Sequence, residues 1–266
     1  MEVLVKKLLG AVVATLALAS NLQAGPVQNA VKPMAYQDGV FMTGNNDYTM
    51  RLGLVSDNVF DRYLQKKDKQ HVHNSAIGSN SAVITFGFFD RADVWTSFGA
   101  GSFGYEDQAA GGATRFKSAT EDDLIWGFGG NVILYNMDFT TLSGFASYRH
   151  LKADVKEIEF NGDINEYASQ SKVKAKYRDW NIGLSLAHQI DNFTPFVNIK
   201  YSDAEVKWDN ATITAPSSWT FSTLKSRSHI GASIGCSMMA SKKFSLSVEG
   251  RFFDERALTF SAELRF

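Results

Sequence analysis

From Tyr48 onward, apolar side chains recur at every second position over segments of about ten residues, the period of a strand with one apolar face. Leu124, Trp126, Phe128, Gly130, Val132 and Leu134 fall on one face, opposite Gly127, Gly129 and Asn131. Trp180, Ile182, Leu184 and Leu186 oppose Asp179, Asn181, Gly183 and Ser185. Ile230, Ala232, Ile234, Cys236 and Met238 oppose His229, Gly231, Ser233, Gly235 and Ser237. At the end of the chain Leu258, Phe260, Ala262, Leu264 and Phe266 oppose Thr259, Ser261, Glu263 and Arg265. The non-apolar face is small and polar, with occasional charges.

Such segments lie at roughly 49–62, 81–89, 93–104, 123–134, 139–152, 174–188, 194–207, 226–239, 244–253 and 257–266. About ten strands are therefore predicted, an even number as single-chain bacterial barrels have, within a range of ten to twelve. Short turns near Asp90-Arg91, Tyr135-Asn136, Asp191-Asn192 and Ser241-Lys242 alternate with longer polar links, which assigns the short turns to the periplasm. Asp254-Glu255-Arg256 is the exception, a tight turn on the outer side. Asn161-Gly162 is a type I′ hairpin signal inside the longest link, 153–173, and predicts a strand pair rising above the membrane. The 63–80 link, with Lys66, Lys67, Lys69, His71 and His73, is expected to be a solvated loop.

The first segment changes the cellular picture. Lys6 and Lys7 precede an apolar run from Leu8 to Ala19, and Leu22-Gln23-Ala24 ends in a small residue suited to signal peptidase, so 1–24 reads as a cleaved export signal. Residues 25–47 are then a periplasmic lead or an extra strand, and 48–266 the barrel. No later run of 18 apolar residues exists to form a spanning helix, so a membrane must be crossed by strands. Export and a terminal aromatic favour an all-β, transmembrane, antiparallel up-and-down β-barrel in the outer membrane of a Gram-negative-type bacterium over a soluble barrel.

Composition agrees: 20 Phe and 21 Gly against 4 Pro suit aromatic-rich strands. A net charge of -1 provides no phosphate-tracking excess for nucleic acid. Cys236 is the single cysteine, with no second thiol for a disulfide or a zinc cluster. The five histidines, His71, His73, His150, His188 and His229, fall in no nucleophile elbow or metal-ligand motif, so neither catalysis, metal nor cofactor is expected. The candidate functional residues are charges facing the lumen, because charged rings set a channel's selectivity. These are Arg51, Arg149, Lys200, Arg251 and Arg265 against Asp179, Glu249 and Glu263, five against three, which suggests a slight anion preference. Leu258, Phe260, Leu264 and Phe266 are the candidate insertion signal. Trp95, Trp126, Tyr135, Tyr148, Trp180, Tyr201 and Trp208 are candidates for interfacial aromatic girdles.

Several stretches resemble the chlamydial major outer membrane protein family of porins. Phe253-Asp254-Glu255-Arg256-Ala257 running to Phe266 is similar to that family's closing hairpin, and Met50-Arg51-Leu52-Gly53 with Val59-Phe60-Asp61-Arg62 to its first long strand. Phe89-Asp90-Arg91-Ala92-Asp93-Val94 followed by Phe98-Gly99-Ala100 resembles its second hairpin. The resemblance implies a porin passing ions or small hydrophilic solutes, a structural role in the outer membrane, and often a homotrimer. Independently of the resemblance, the barrel reading implies contact with outer-membrane lipids, and the final strand is expected to be read by the cell's barrel-insertion machinery. With one cysteine and a much shorter chain, a disulfide network is not expected, and the bore should be narrower. The alternative is a closed structural or surface-antigen barrel acting as an adhesin.

Overall fold

A computed structural model describes residues 48–68, 70–89, 91–108, 115–137, 139–160, 163–165, 173–210, 212–213, 219–241 and 244–265. The expected leader 1–24, the segment 25–47, the Asn161-Gly162 pair and Phe266 lie outside the described residues.

Ten long strands form the wall: β1 (Tyr48–Arg62), β3 (Asn74–Phe88), β4 (Ala92–Gln108), β6 (Asp123–Met137), β7 (Thr140–Phe160), β9 (Lys174–His188), β10 (Phe193–Asp209), β14 (Ile230–Ser241), β15 (Phe244–Phe252) and β16 (Glu255–Arg265). Six short pieces join them: β2 (Leu64–Lys66), β5 (Arg115–Thr120), β8 (Asp163–Asn165), β11 (Thr212–Ile213), β12 (Trp219–Thr220) and β13 (Leu224–Ser226). Each long strand pairs antiparallel with its sequence neighbour, β14 pairs β10, and β16 returns to β1 from Arg51↔Arg265 to Arg62↔Glu255, so the ring closes. All ten strands expected from the period are present. Closure leaves no free edge, which a backbone in hydrocarbon requires.

Several boundaries differ from the sequence reading. The second long strand begins at Asn74, not near residue 81, because Asn74–Asn80 pairs with β4 throughout and with β1 from Ile77 on, although it lacks a clean apolar alternation. Leu64–Lys66 is likewise a strand rather than loop, with Leu64 buried and Lys66 paired to buried Asp107. Tyr135 and Asn136 lie inside β6, which runs on to Met137, rather than in a turn. β7 and β8 do form the expected upward hairpin, with Phe160↔Asp163 flanking Asn161-Gly162.

Toward the long-loop end the wall changes its membership. β5 replaces β6 between β4 and β7, while β14, β15 and β16 end below and β13 pairs with β10 in their place. β13 also pairs with β2, which continues β1 past Tyr63. Eight segments then surround the interior: β1/β2, β3, β4, β5, β7, β9, β10 and β13. An eight-stranded ring is just wide enough to be filled by side chains. That space holds one apolar cluster including Val59, Leu64, Ile77, Phe103, Tyr105, Phe116, Ile125, Leu151, Val155, Tyr177, Val206, Phe221 and Leu224.

The outer surface at membrane height is the reverse of a soluble barrel's. Leu54, Phe86, Phe98, Leu124, Phe128, Ile182, Leu184, Ile199, Ile234 and Phe260 are all exposed, and most inward positions beside them are Ser, Thr, Asn, Gly and charges. Only lipid makes such a belt tolerable. Trp126, Tyr148 and His150 cluster across β6 and β7, and Trp180, Tyr201 and His229 across β9, β10 and the segment before β14, at the outer edge of the belt. Tyr135 marks the periplasmic edge. Trp95 and Trp208 correct the expected girdle: Trp95 points into the barrel, and Trp208 packs against Phe103, Tyr105 and Phe221 of the apolar cluster.

Candidate lumen and constriction

Within the ten-stranded part, side chains at alternate positions of every strand converge on the axis, so charges distant in sequence meet. Directly below the apolar cluster they form a closed cycle of alternating sign. Arg62 reaches Asp254 at 2.6 Å, Asp254 meets Lys200 at 3.0 Å, and Lys200 meets Glu255 at 2.5 Å. Glu255 meets Arg251 at 3.0 Å, and Arg251 pairs with Asp57. Asp57 meets Arg149 at 3.2 Å, Arg149 meets Asp179 at 2.9 Å, and Asp179 returns to Arg62 at 3.3 Å. Four cations and four carboxylates thus neutralise one another across strands β1, β7, β9, β10, β15 and β16 and the turn before β16. The Ser202 and Thr259 hydroxyls donate to Asp254 and Asp57, occupying remaining carboxylate lone pairs. Charges removed from water this completely are tolerable only when paired and hydrogen-bonded.

The tight turn supplies two of these carboxylates. Phe253 adopts φ 76°, in the left-handed region, and the reversal tucks Asp254 and Glu255 under β2 and β13 instead of leaving them at the rim. Gly231 makes room for them: a Cβ there would stand 2.1 Å from an Asp254 carboxylate oxygen and 2.7 Å from Lys200 Cε. Gly235, two inward positions lower, leaves space for the Phe196 ring, whose Cζ would lie 2.3 Å from an added Cβ.

Nearer the periplasm, Arg51 bridges Asp93 and Glu263, and Asn131 Nδ2 donates to Asp93 at 3.3 Å. On the other side Asn198 Nδ2 donates to Glu249 at 3.1 Å and to Ser233 Oγ at 2.8 Å. Arg265 is buried in the same lower lumen. Free space is small, about 20 Å³ beside Arg149, Lys200 and Glu249 and about 30 Å³ beside Arg51, Asp93 and Glu263. Each volume accepts one or two waters. A hollow of about 240 Å³ lies elsewhere, on the outer wall between Asn74, Glu106, Lys117 and Glu159.

All eight sequence-derived lumen candidates are buried or nearly so and face inward. Arg149, Asp179, Lys200 and Arg251 enter the cycle; Glu249 stands beside it; Arg51 and Glu263 pair lower down with Arg265 in the same layer. Sequence reasoning missed Asp57, Arg62, Asp93, Asp254 and Glu255. Asp57 and Asp93 share the parity of Arg51 and of Trp95, and a strict alternation would have found them. Arg62 follows a bulge between Val59 and Asp61 that shifts the parity. Counting the described residues buried below the apolar cluster gives six cations, Arg51, Arg62, Arg149, Lys200, Arg251 and Arg265, against seven carboxylates, Asp57, Asp93, Asp179, Glu249, Asp254, Glu255 and Glu263. The cation excess behind the expected anion preference disappears.

The histidines stand apart from this network. His229 Nδ1 lies 3.0 Å from the Ser202 carbonyl and 3.6 Å from Asp203, while the Ser202 hydroxyl points inward to Asp254. Thr140 Oγ1 and His188 Nδ1 are 2.8 Å apart on the exposed periplasmic end. Among the described residues no group of three or more His, Cys, Asp or Glu is arranged to hold a metal.

Comparison with known proteins places this architecture in context. No protein-family model matches the chain. It is similar to the major outer membrane porin, serovar A, of Chlamydia trachomatis, 23% identical over an alignment of 395 positions, gaps included, that covers 98% of this chain and 100% of the relative. The serovar D porin of the same organism is 24% identical over 392 such positions, with the same coverage. Similar solved structures include an outer membrane channel from Pseudomonas putida F1 (TM-score 0.41, 8% identity, 93% of this chain and 98% of that chain). They also include the translocator domain of the autotransporter NalP from Neisseria meningitidis (TM-score 0.44, 9% identity, 87% and 92%) and the outer membrane protease OmpT from Escherichia coli (TM-score 0.38, 10% identity, 82% and 96%). The chain is a multi-pass outer-membrane β-barrel whose curated relatives are outer-membrane porins.

Proposed function

We propose that this protein is a narrow porin-like barrel that passes ions or small hydrophilic solutes through its charged lumen, contributes to outer-membrane structure, and performs no covalent chemistry. The observation that carries this reading is the change of filling along one bore. At the outer end the same chain packs its interior with Phe, Leu, Ile and Val; at membrane height it retains an ionic lumen built round a closed cycle of ion pairs. Buried ion pairs are often no more stabilising than apolar packing of equal volume, so stability alone gives little reason for the choice. Passage of ions does, because a permeating ion needs polar groups that exchange for its hydration shell. The charge cycle and the apolar cluster above it are then the two narrowest points. The solutes are small, the lumen residues named above form the constriction, and the nearly balanced charge gives weak ion selectivity.

The wider assignments rest on sequence and resemblance: a leader removed after Ala24, a lead segment 25–47, recognition of Leu258, Phe260, Leu264 and Phe266 by the insertion machinery, and a homotrimer. N-terminal sequencing of the mature protein and cross-linking in native membranes check the first and the last. A second reading is a closed structural or surface-antigen barrel, favoured by the apolar cluster across the bore. Conductance of the refolded protein in planar bilayers separates the two: discrete steps support the pore, and their absence supports the closed barrel.

A further inference from the structure

We propose that the outer wall of β7, β9 and β10, just above the aromatic girdle, binds the phosphorylated headgroup of an outer-leaflet lipid through a row of lysines on neighbouring strands. Lys152 lies directly opposite Lys176, and Lys176 directly opposite Lys207. Like charges facing one another across strands are destabilising, so three in succession call for a compensating anion. The adjoining rows do not repeat this arrangement. One step outward, Asp154, Lys174 and Asp209 alternate in sign across the same three strands, with Lys174 and Asp154 2.7 Å apart. One step inward, Glu205 sits among Arg178, Lys207 and Lys225 and pairs with all three.

The lysine row is only partly neutralised by the protein. Lys176 reaches Asp209 at 2.5 Å and Lys207 reaches Glu205 at 3.3 Å, but Glu205 is shared. Lys152 is exposed and has no carboxylate within ion-pairing distance among the described residues. Across these rows six cations, Lys152, Lys174, Lys176, Arg178, Lys207 and Lys225, face four carboxylates, Asp154, Asp209, Glu205 and, from β6, Asp123.

Height selects the partner. Tyr148 and Trp180, in the girdle, lie two outward-facing positions below Lys152 and Lys176 on their strands. At about 3.3 Å per residue and a tilt near 40°, that raises the lysine Cα atoms roughly 10 Å above the girdle residues. The headgroup layer is about 5–8 Å thick on each side, and flexible lysine stems reach back into it. A phosphate borne on lipid is therefore in range while the acyl chains lie on the apolar belt below. Such a lipid would act as a ligand of the folded barrel, independently of whether the lumen conducts.

The test uses the refolded mature barrel in phosphatidylcholine nanodiscs, with and without diphosphorylated lipid A, and reads the thermal unfolding midpoint and the amount of glycolipid retained by native mass spectrometry. Wild type should be stabilised by lipid A and not by its dephosphorylated form. Lys152→Gln, Lys176→Gln and Lys207→Gln together should abolish that gain and lower retention roughly a hundredfold, since each surface lysine contributes about fivefold. In phosphatidylcholine alone the triple variant should be as stable as wild type or more so, because repulsion has been removed; this reversal between membranes separates lipid binding from a structural role. Removing three cations elsewhere, Lys67→Gln, Lys117→Gln and Arg256→Gln, should leave the gain intact. Equal stabilisation of wild type and triple variant by lipid A would overturn the proposal. So would protection of wild type in phosphatidylcholine discs by inorganic phosphate or a heparin fragment equal to that from lipid A, which would identify a soluble-anion or sulfated-glycan site instead.

Discussion

The two ends of the bore are built by the same strands and hold opposite chemistry. Strand β7 shows it most directly. Up to Arg149 its inward residues are Thr141, Ser143, Phe145, Ser147 and Arg149, and Leu142, Ala146 and Tyr148 face lipid; from Leu151 the inward residues are Leu151, Ala153 and Val155, and Lys152, Asp154 and Lys156 face outward. No bulge separates the two stretches, since pairing with β9 runs without a shift from Thr140 to Asp154. The polarity of the alternation inverts while the backbone register is kept. That inversion marks where the barrel leaves the membrane: beyond it the wall meets water, and the apolar face must turn inward as in a soluble barrel. It coincides with the reduction from ten wall segments to eight, so the interior narrows where it becomes apolar.

The largest test of this contrast is to break the charge cycle. Arg149→Ala leaves Asp57 and Asp179 each short of a partner in a buried interior, and should cost about 3–5 kcal/mol of unfolding free energy, read by urea titration of the refolded protein in micelles. The apolar end should respond with a similar or smaller loss but a different second effect. Leu224→Ala, at a fully buried site on β13, should cost about 2–5 kcal/mol and also widen the outer constriction, raising conductance where Arg149→Ala mainly destabilises. Gly231→Ala tests the crowding at the boundary between them. Pushing a methyl into the Asp254 carboxylate should cost about 1–3 kcal/mol and alter ion selectivity, measured as a reversal potential. The smallest effect on stability concerns assembly: Phe266→Asp should reduce outer-membrane yield with little change in the midpoint of protein that does insert, and an unchanged yield would count against recognition of the final strand.

How much was legible in the sequence follows the same division. At membrane height the period-two pattern identified all ten strands and the inward face of every lumen candidate, because lipid demands a regular apolar exterior. Asn74–Asn80 was read as loop since Ser75, Gly78, Ser79 and Asn80 offer no apolar face to count; its strand character comes from pairing with β4 along its length and with β1 from Ile77 on. The inversion above the membrane was not read, and with it went the facing of Trp208 and the burial of Leu64. Asp254 and Glu255 looked like an exposed hairpin turn, and only the tertiary placement of β2 and β13 above them makes them interior. Arg62 was hidden by a bulge, which no single-strand alternation reveals.

The central claim is that the ionic lumen exists for passage and that the apolar outer end limits it. Single-channel recording of refolded wild type and Leu224→Ala in planar bilayers at high salt tests it most directly. Small, discrete, weakly selective steps for wild type and larger steps for the variant are the predicted result. No steps above background from either protein would contradict it and leave a closed barrel whose ion pairs serve structure alone.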